Sequence, residues 1–205
     1  MQPAHSYLAL GDSYTIGESV APGERWPVQL AARLRGEGID IGEPRIVATT
    51  GWTTDELAAA MDVTSFVPPY DLVTLLIGVN NQYRGCGVDE YRAQFRDLLQ
   101  RAIRLAGGVA AHVIVVSIPD WGITPFAARE GRDAAAIARE IDAFNTIASA
   151  EAASAGAARI DVTSISRAAE SRGELVGDGL HPSGAQYARW VEAILPVARV
   201  ILTGS

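Results

Sequence analysis

Five short apolar runs recur along the chain, each followed by a stretch with helical spacing, and that alternation is the strongest constraint on its fold. The runs are Tyr7–Leu10, Arg45–Ala48, Leu72–Ile77, Val113–Ser117 and Ala158–Val162. None alternates cleanly between apolar and polar residues, so each suits a strand buried on both faces of a parallel sheet. Between them, Trp26, Leu30 and Leu34 share one helix face, as do Tyr91, Phe95, Leu98, Ala102 and Leu105. Ile137, Ile141, Phe144 and Ala148 repeat the pattern, and so do Tyr187, Val191 and Ile194. Strand–helix alternation predicts a doubly wound α/β fold, with right-handed crossovers placing helices on both faces. Pro196 is expected to end or kink the last helix, or to open a short following one.

The 205 residues suit one domain spanning 1–205, with no repeat or linker to divide them. A formal charge of −7 and the absence of any basic run argue against nucleic-acid binding. The single cysteine, Cys86, excludes an intrachain disulfide and a cysteine zinc cluster, and no His-Glu-x-x-His spacing offers a metal site. No run reaches the ~20 apolar residues that a bilayer crossing needs. The first residues lack the basic start and apolar stretch of a signal peptide, so a cytoplasmic location is the expectation.

In open parallel sheets, ligands bind beyond the carboxyl ends of the strands. Ser13 follows the first predicted strand, Gly51 the second and Asn80 the third, while Asp178 and His181 lie between the fifth strand and the last helix. All five are expected at one edge. A serine becomes a nucleophile when a histidine takes its proton and a carboxylate orients that histidine, and Ser13, His181 and Asp178 supply the three groups. Ser13 reads equally as a helix N-cap, Gly51 and Asn80 as turn residues, and Asp178 as a plain turn acid. Asp12 is expected to fix its turn through side-chain-to-backbone bonds. His5 and His112 precede strands and belong at the opposite edge. Cys86 has nothing beside it to lower a thiol pKa. Pro119 to Arg132 forms a long irregular segment, read as a lid, a pocket wall or an ordered surface excursion. Trp52, Tyr83, Trp121 and Phe126 are candidates for the wall of a substrate pocket, and Arg84 for a contact to an anion.

These blocks, in this order, resemble the SGNH/GDSL family of serine esterases and lipases. Ala9-Leu10-Gly11-Asp12-Ser13-Tyr14-Thr15-Ile16-Gly17 is similar to the family's first block, Thr50 to Leu57 to its glycine block, and Gly78-Val79-Asn80-Asn81 to its Gly-x-Asn-Asp block. Asp178-Gly179-Leu180-His181-Pro182 resembles the block holding acid and base. Two positions depart: Tyr14 stands where the family's name has leucine, and Asn81 where the third block has aspartate. The resemblance implies a flavodoxin-like three-layer α/β/α sandwich with a five-stranded parallel sheet, a shallow site and no cofactor. It implies that Ser13 is the nucleophile, with Asp178 and His181 as acid and base. Ser13, Gly51 and Asn80 would form the oxyanion hole, and the substrate would be a small-molecule acyl ester. Thioesterase, lysophospholipase and carbohydrate deacetylase activities stay open within that class. A non-catalytic binding domain and a nucleotide- or flavin-binding doubly wound protein are the alternatives outside it, although Gly-x-Gly-x-x-Gly is absent.

Overall fold

A computed structural model describes residues 4–168 and 173–204. Five strands form one sheet in the order β2-β1-β3-β4-β5. They are β1 (Tyr7–Gly11), β2 (Arg45–Ala48), β3 (Leu72–Leu76), β4 (Val113–Val116) and β5 (Ala158–Ile160). Every pairing is parallel. The central strands β1, β3 and β4 are buried at every residue, as their unbroken apolar composition requires, while the edge strands β2 and β5 are partly exposed.

Helices cover both faces, giving an α/β/α sandwich. On one face α2 (Trp26–Gly36) packs along α9 (Gly184–Thr203); on the other lie α3 (Thr54–Val63), α5 (Val88–Leu105) and α7 (Ala134–Ala155). Trp26, Leu30 and Leu34 are wholly enclosed, and Trp190, Tyr187 and Ile194 meet them from α9. Each fully buried side chain of this size contributes roughly 1.5–3 kcal/mol relative to exposure.

The strand ends differ slightly from the sequence expectation. Ser117 lies just past the end of β4: its N–H still donates to Ile160 O at 3.0 Å, while its hydroxyl accepts from Val162 N (2.8 Å) and Thr163 N (3.1 Å), where β5 has ended. Pro196 neither ends α9 nor starts a new helix: α9 continues through it to Thr203. Its buried stripe extends on both sides of the proline, from Tyr187 and Trp190 to Ala198 and Leu202. The packing of that stripe outweighs a penalty of ~3 kcal/mol for proline in a helix interior.

The register levels the strand ends that matter. Gly11 pairs with Ala48 of β2 on one side and Leu76 of β3 on the other, so the three loops that follow leave the sheet at the same height. Strand order reverses at β1, where the next strand in sequence lies on one side and the third on the other. A crevice opens at such a switch point. Gly11 is obligatory there, because a Cβ would overlap the Leu76 carbonyl oxygen and the Thr15 side chain. Gly11→Ala is therefore expected to cost about 1–3 kcal/mol or more of unfolding free energy, read from urea denaturation midpoints. An unshifted midpoint would show that the close approach of β1 and β3 is relaxed at little cost.

Candidate active site

Directly after β1, α1 (Ser13–Ile16) makes a single turn. Its N-cap is Asp12, whose Oδ1 accepts from Tyr14 N at 3.0 Å. The capping role thus belongs to Asp12, and the Ser13 hydroxyl has no hydrogen-bond partner among the described residues. Ser13 N–H, in the first helical position, also donates to no group among them. After β2, Gly51 takes φ 89°, a left-handed conformation that favours glycine, and its N–H is likewise uncommitted. After β3, Gly78 leads into α4 (Val79–Tyr83), which carries Asn80 and Asn81.

The two asparagines divide the work. Asn80 Nδ2 donates one hydrogen to Trp52 O at 2.9 Å, which ties the β3 loop to the β2 loop and leaves a second N–H on the same nitrogen. Buried Asn81 accepts from Thr54 N at 3.0 Å and donates to Thr54 Oγ1 at 2.7 Å, anchoring the start of α3. An amide at this position holds both a donor and an acceptor, which an ionised aspartate cannot do.

Between β5 and α9 the chain passes through a short helix, α8 (Thr163–Arg167), before reaching the Asp178 turn. Asp178 Oδ1 accepts from the backbone N–H groups of Leu180 (2.7 Å) and His181 (3.0 Å), and Oδ2 meets His181 Nδ1 at 2.7 Å. Burial opposes ionisation of Asp178, but the bonds from His181 and the two N–H groups outweigh it and hold the carboxyl below its usual range. Such a carboxylate fixes the tautomer with hydrogen on Nδ1, leaving the Nε2 lone pair free. The ring is nearly buried and stacks obliquely on Tyr14, with centroids 5.6 Å apart.

Ser13, Gly51, Asn80 and His181 line one cavity of about 210 Å³. Tyr83, Trp121 and Phe126 form its aromatic wall, and Tyr14, Thr50, Val79 and Leu180 complete the lining. Asp178 stands behind His181 and outside the lining. Trp52, expected in the pocket wall, is not there: it packs partly buried against the core, and only its carbonyl serves the site, through Asn80. Ser13 Oγ and His181 Nε2 are not hydrogen-bonded to each other; serine–histidine bonds of this kind often tighten only when a substrate binds. Half-buried Cys86 lies outside the lining. His5 and His112 precede β1 and β4, at the opposite edge of the sheet.

The segment 119–132 is a fixed wall with a helix in it, α6 (Pro125–Arg129). Trp121 Nε1 donates to Gln82 Oε1 at 2.8 Å, and Asp120 bonds both Ser166 Oγ and the Arg167 guanidinium, each at 2.8 Å. Phe126 N donates to Gly179 O at 3.0 Å, joining the wall to the histidine turn. A wider, open depression of about 840 Å³ runs along α7 and α8. It contains no histidine or cysteine, and its Arg167 is already paired with Asp120 and Asp142. Among the described residues no cluster of three or more His, Cys, Asp or Glu is placed to hold a metal ion, and no helix is long and apolar enough to cross a membrane.

A five-stranded parallel sandwich with serine, histidine and strand-end amides around one crevice defines a class of hydrolase. Residues 9–189 match the GDSL-like lipase/acylhydrolase family, and the chain belongs to it. Among solved structures it is similar to TesA, with 21% identity and a TM-score of 0.71 over 97% of this chain and 100% of that one. Axe2, an acetylxylan esterase from Geobacillus stearothermophilus, shares 20% identity with a TM-score of 0.70 over 97% and 96% of the two chains. A lipase/acylhydrolase from Enterococcus faecalis shares 23% identity with a TM-score of 0.68 over 96% and 95%. At these identities the likeness is one of fold. No curated protein matches the sequence.

Beneath the serine turn lies an unusual carboxyl. Asp12 is wholly buried, and burial raises its pKa from 3.8 to about 7 against the opposing pull of the nearby backbone N–H groups of Tyr14, Asp12 and Gly78. Its Oδ2 has no partner. A raised pKa means that the folded chain holds a proton the unfolded chain has lost, so stability falls as pH rises from about 4 to about 7. Asp12→Asn keeps an acceptor for Tyr14 N and removes the charge. It is expected to flatten that loss, which is on the order of 4 kcal/mol at most, when urea midpoints at about pH 5 and about pH 8 are compared. Equal pH slopes in both proteins would show that the buried carboxyl does not titrate in this window.

Proposed function

We propose that the chain is a serine esterase that cleaves short acyl esters through a covalent acyl-enzyme. The observation that carries this reading is the shared cavity. Ser13 and His181, near opposite ends of the chain, open into the same small space, and Asp178 holds the histidine's other nitrogen at 2.7 Å.

In the proposed reaction Ser13 Oγ attacks the ester carbonyl while His181 Nε2 takes its proton. The tetrahedral oxyanion is met by the Ser13 and Gly51 backbone N–H groups and by the free N–H of Asn80. The intermediate collapses, the C–O bond to the alcohol breaks, and His181 returns the proton to the departing oxygen. A water then repeats the sequence on the acyl-enzyme, releasing the acid and restoring Ser13. Asp178, held ionised, stabilises the imidazolium that forms twice in each cycle.

The size and chemistry of the cavity support a short acyl group. Its ~210 Å³ lies below the usual ~300–1,000 Å³ of drug-sized pockets, and its wall is aromatic rather than charged. The fixed segment 119–132 closes one side, so a long chain has no obvious channel to follow.

Ser13→Ala is expected to lower turnover of p-nitrophenyl butyrate by about 10⁴-fold or more and to abolish labelling by a fluorophosphonate probe. Full activity in that variant would remove the serine from the mechanism, and failure of the wild type to label would favour a non-catalytic binding domain. Asn80→Ala is expected to cost ~10²–10³ in kcat with KM little changed, because the oxyanion exists only on the way through the reaction. A change confined to KM would assign Asn80 to ground-state binding instead.

A further inference from the structure

Two exposed arginines stand against the aromatic side chains of the cavity wall, and neither is neutralised by an acid among the described residues. Arg132 lies over both Tyr83 and Trp121, its guanidinium carbon 5.4 Å and 5.3 Å from the ring centroids. Arg129 lies 6.0 Å from the Phe126 centroid, and its Nη2 donates to Asp178 O at 2.6 Å. Neither forms a salt bridge among the described residues. Arg84, on the other flank, is already paired with Glu56 and bound to Gly51 O.

Stacking on aromatic faces holds a guanidinium flat and limits its motion while leaving its N–H edge to bind an anion in two-pronged fashion. The protein as a whole is acidic, at −7, so unpaired cations beside an apolar cavity are set against the general field. Asp178, whose carbonyl Arg129 holds, has its carboxylate committed to His181 and to two backbone N–H groups, and neither Glu130 nor Asp133 forms a salt bridge with either arginine among the described residues.

Position decides which end of the substrate they would meet. His181 must hand its proton to the departing alcohol, so the alcohol leaves on the histidine side. Arg129 is fastened to the Asp178 carbonyl in that same turn, and Arg132 follows it within one helical turn's length of chain. We infer that the substrate's alcohol carries a carboxylate or phosphate that Arg129 and Arg132 bind. This rests on the esterase reading above and narrows it to short acyl esters of anionic alcohols.

The test compares ethyl butyrate with the butyryl esters of glycolic acid and of 2-hydroxyethyl phosphate, following acid release, in wild type and in Arg132→Gln. The expected result is a kcat/KM for the anionic esters about tenfold above that of ethyl butyrate at low salt, equivalent to about 1.4 kcal/mol. That ratio should shrink in added salt and fall again in Arg132→Gln. The two anionic esters distinguish a carboxylate from a phosphate ligand. Mono-p-nitrophenyl glutarate, with its charge on the acyl side, should gain nothing over p-nitrophenyl butyrate. Equal rates for neutral and anionic alcohols, or a ratio unmoved by Arg132→Gln in a protein that still labels with fluorophosphonate, would overturn the inference and leave the esterase reading standing. A gain for the glutarate ester alone would also overturn it. No hydrolysis of any ester by wild type would sink the esterase reading itself.

Discussion

The absence of a side chain at Gly11 is the constraint on which the site depends. Because no Cβ stands there, the β1 backbone can lie against Leu76 of β3 while Thr15 folds back over it. Level strand ends follow from that contact. Loops of a few residues then suffice to bring Ser13, Gly51 and Asn80 to one rim, and short loops on a rigid sheet hold their ends more tightly than long ones. Were β1 and β3 displaced by a residue, the inward and outward faces of the strand would exchange and Ser13 would no longer face Asn80.

A second layer of bonds turns proximity into fixed orientation. Asn80 to Trp52 and Asn81 to Thr54 join the β3 and β2 loops, and Asp12 Oδ1 takes the Tyr14 N–H within the β1 turn. Phe126 to Gly179 and Arg129 to Asp178 join the aromatic wall to the histidine turn. Every element that lines the cavity is therefore fastened to a neighbour that also lines it. Donors held in place before substrate arrives lose little in reorganisation when charge develops, which is where most electrostatic catalysis arises.

Much of this was legible in the residues, for definable reasons. Buried parallel strands read as unbroken apolar runs, and the rule that ligands gather at strand ends pointed to Ser13, Gly51, Asn80 and His181 without any coordinates. What escaped notice depends on direction rather than on position along the chain. Trp52 sits in a loop at the expected edge of the sheet, yet its side chain packs against the core and only its carbonyl reaches the site. Tyr14 and Leu180 were passed over although they adjoin Ser13 and His181, and both line the cavity. Adjacency in a loop does not determine which way a side chain points. The helix α6 was hidden inside a segment with no apolar period, since its five residues are too few to show one. The continuity of α9 through Pro196 is a case of tertiary packing overriding a local preference.

The placement of the buried carboxyl explains why a costly group is tolerated. Asp12 is the only residue between the end of β1 and the first residue of α1, so its side chain is the one that can cap the turn. Serine, threonine or asparagine would cap as well, and without a charge to bury. Aspartate caps the turn through Oδ1, which accepts from Tyr14 N, and leaves Oδ2 buried without a hydrogen-bond partner among the described residues. The cost of burial is thereby linked to the geometry of the Ser13 turn. Stability given up beneath an active site in exchange for fixed orientation above it is a common arrangement in enzymes. Here the exchange is local, involves one side chain, and lies directly beside Ser13.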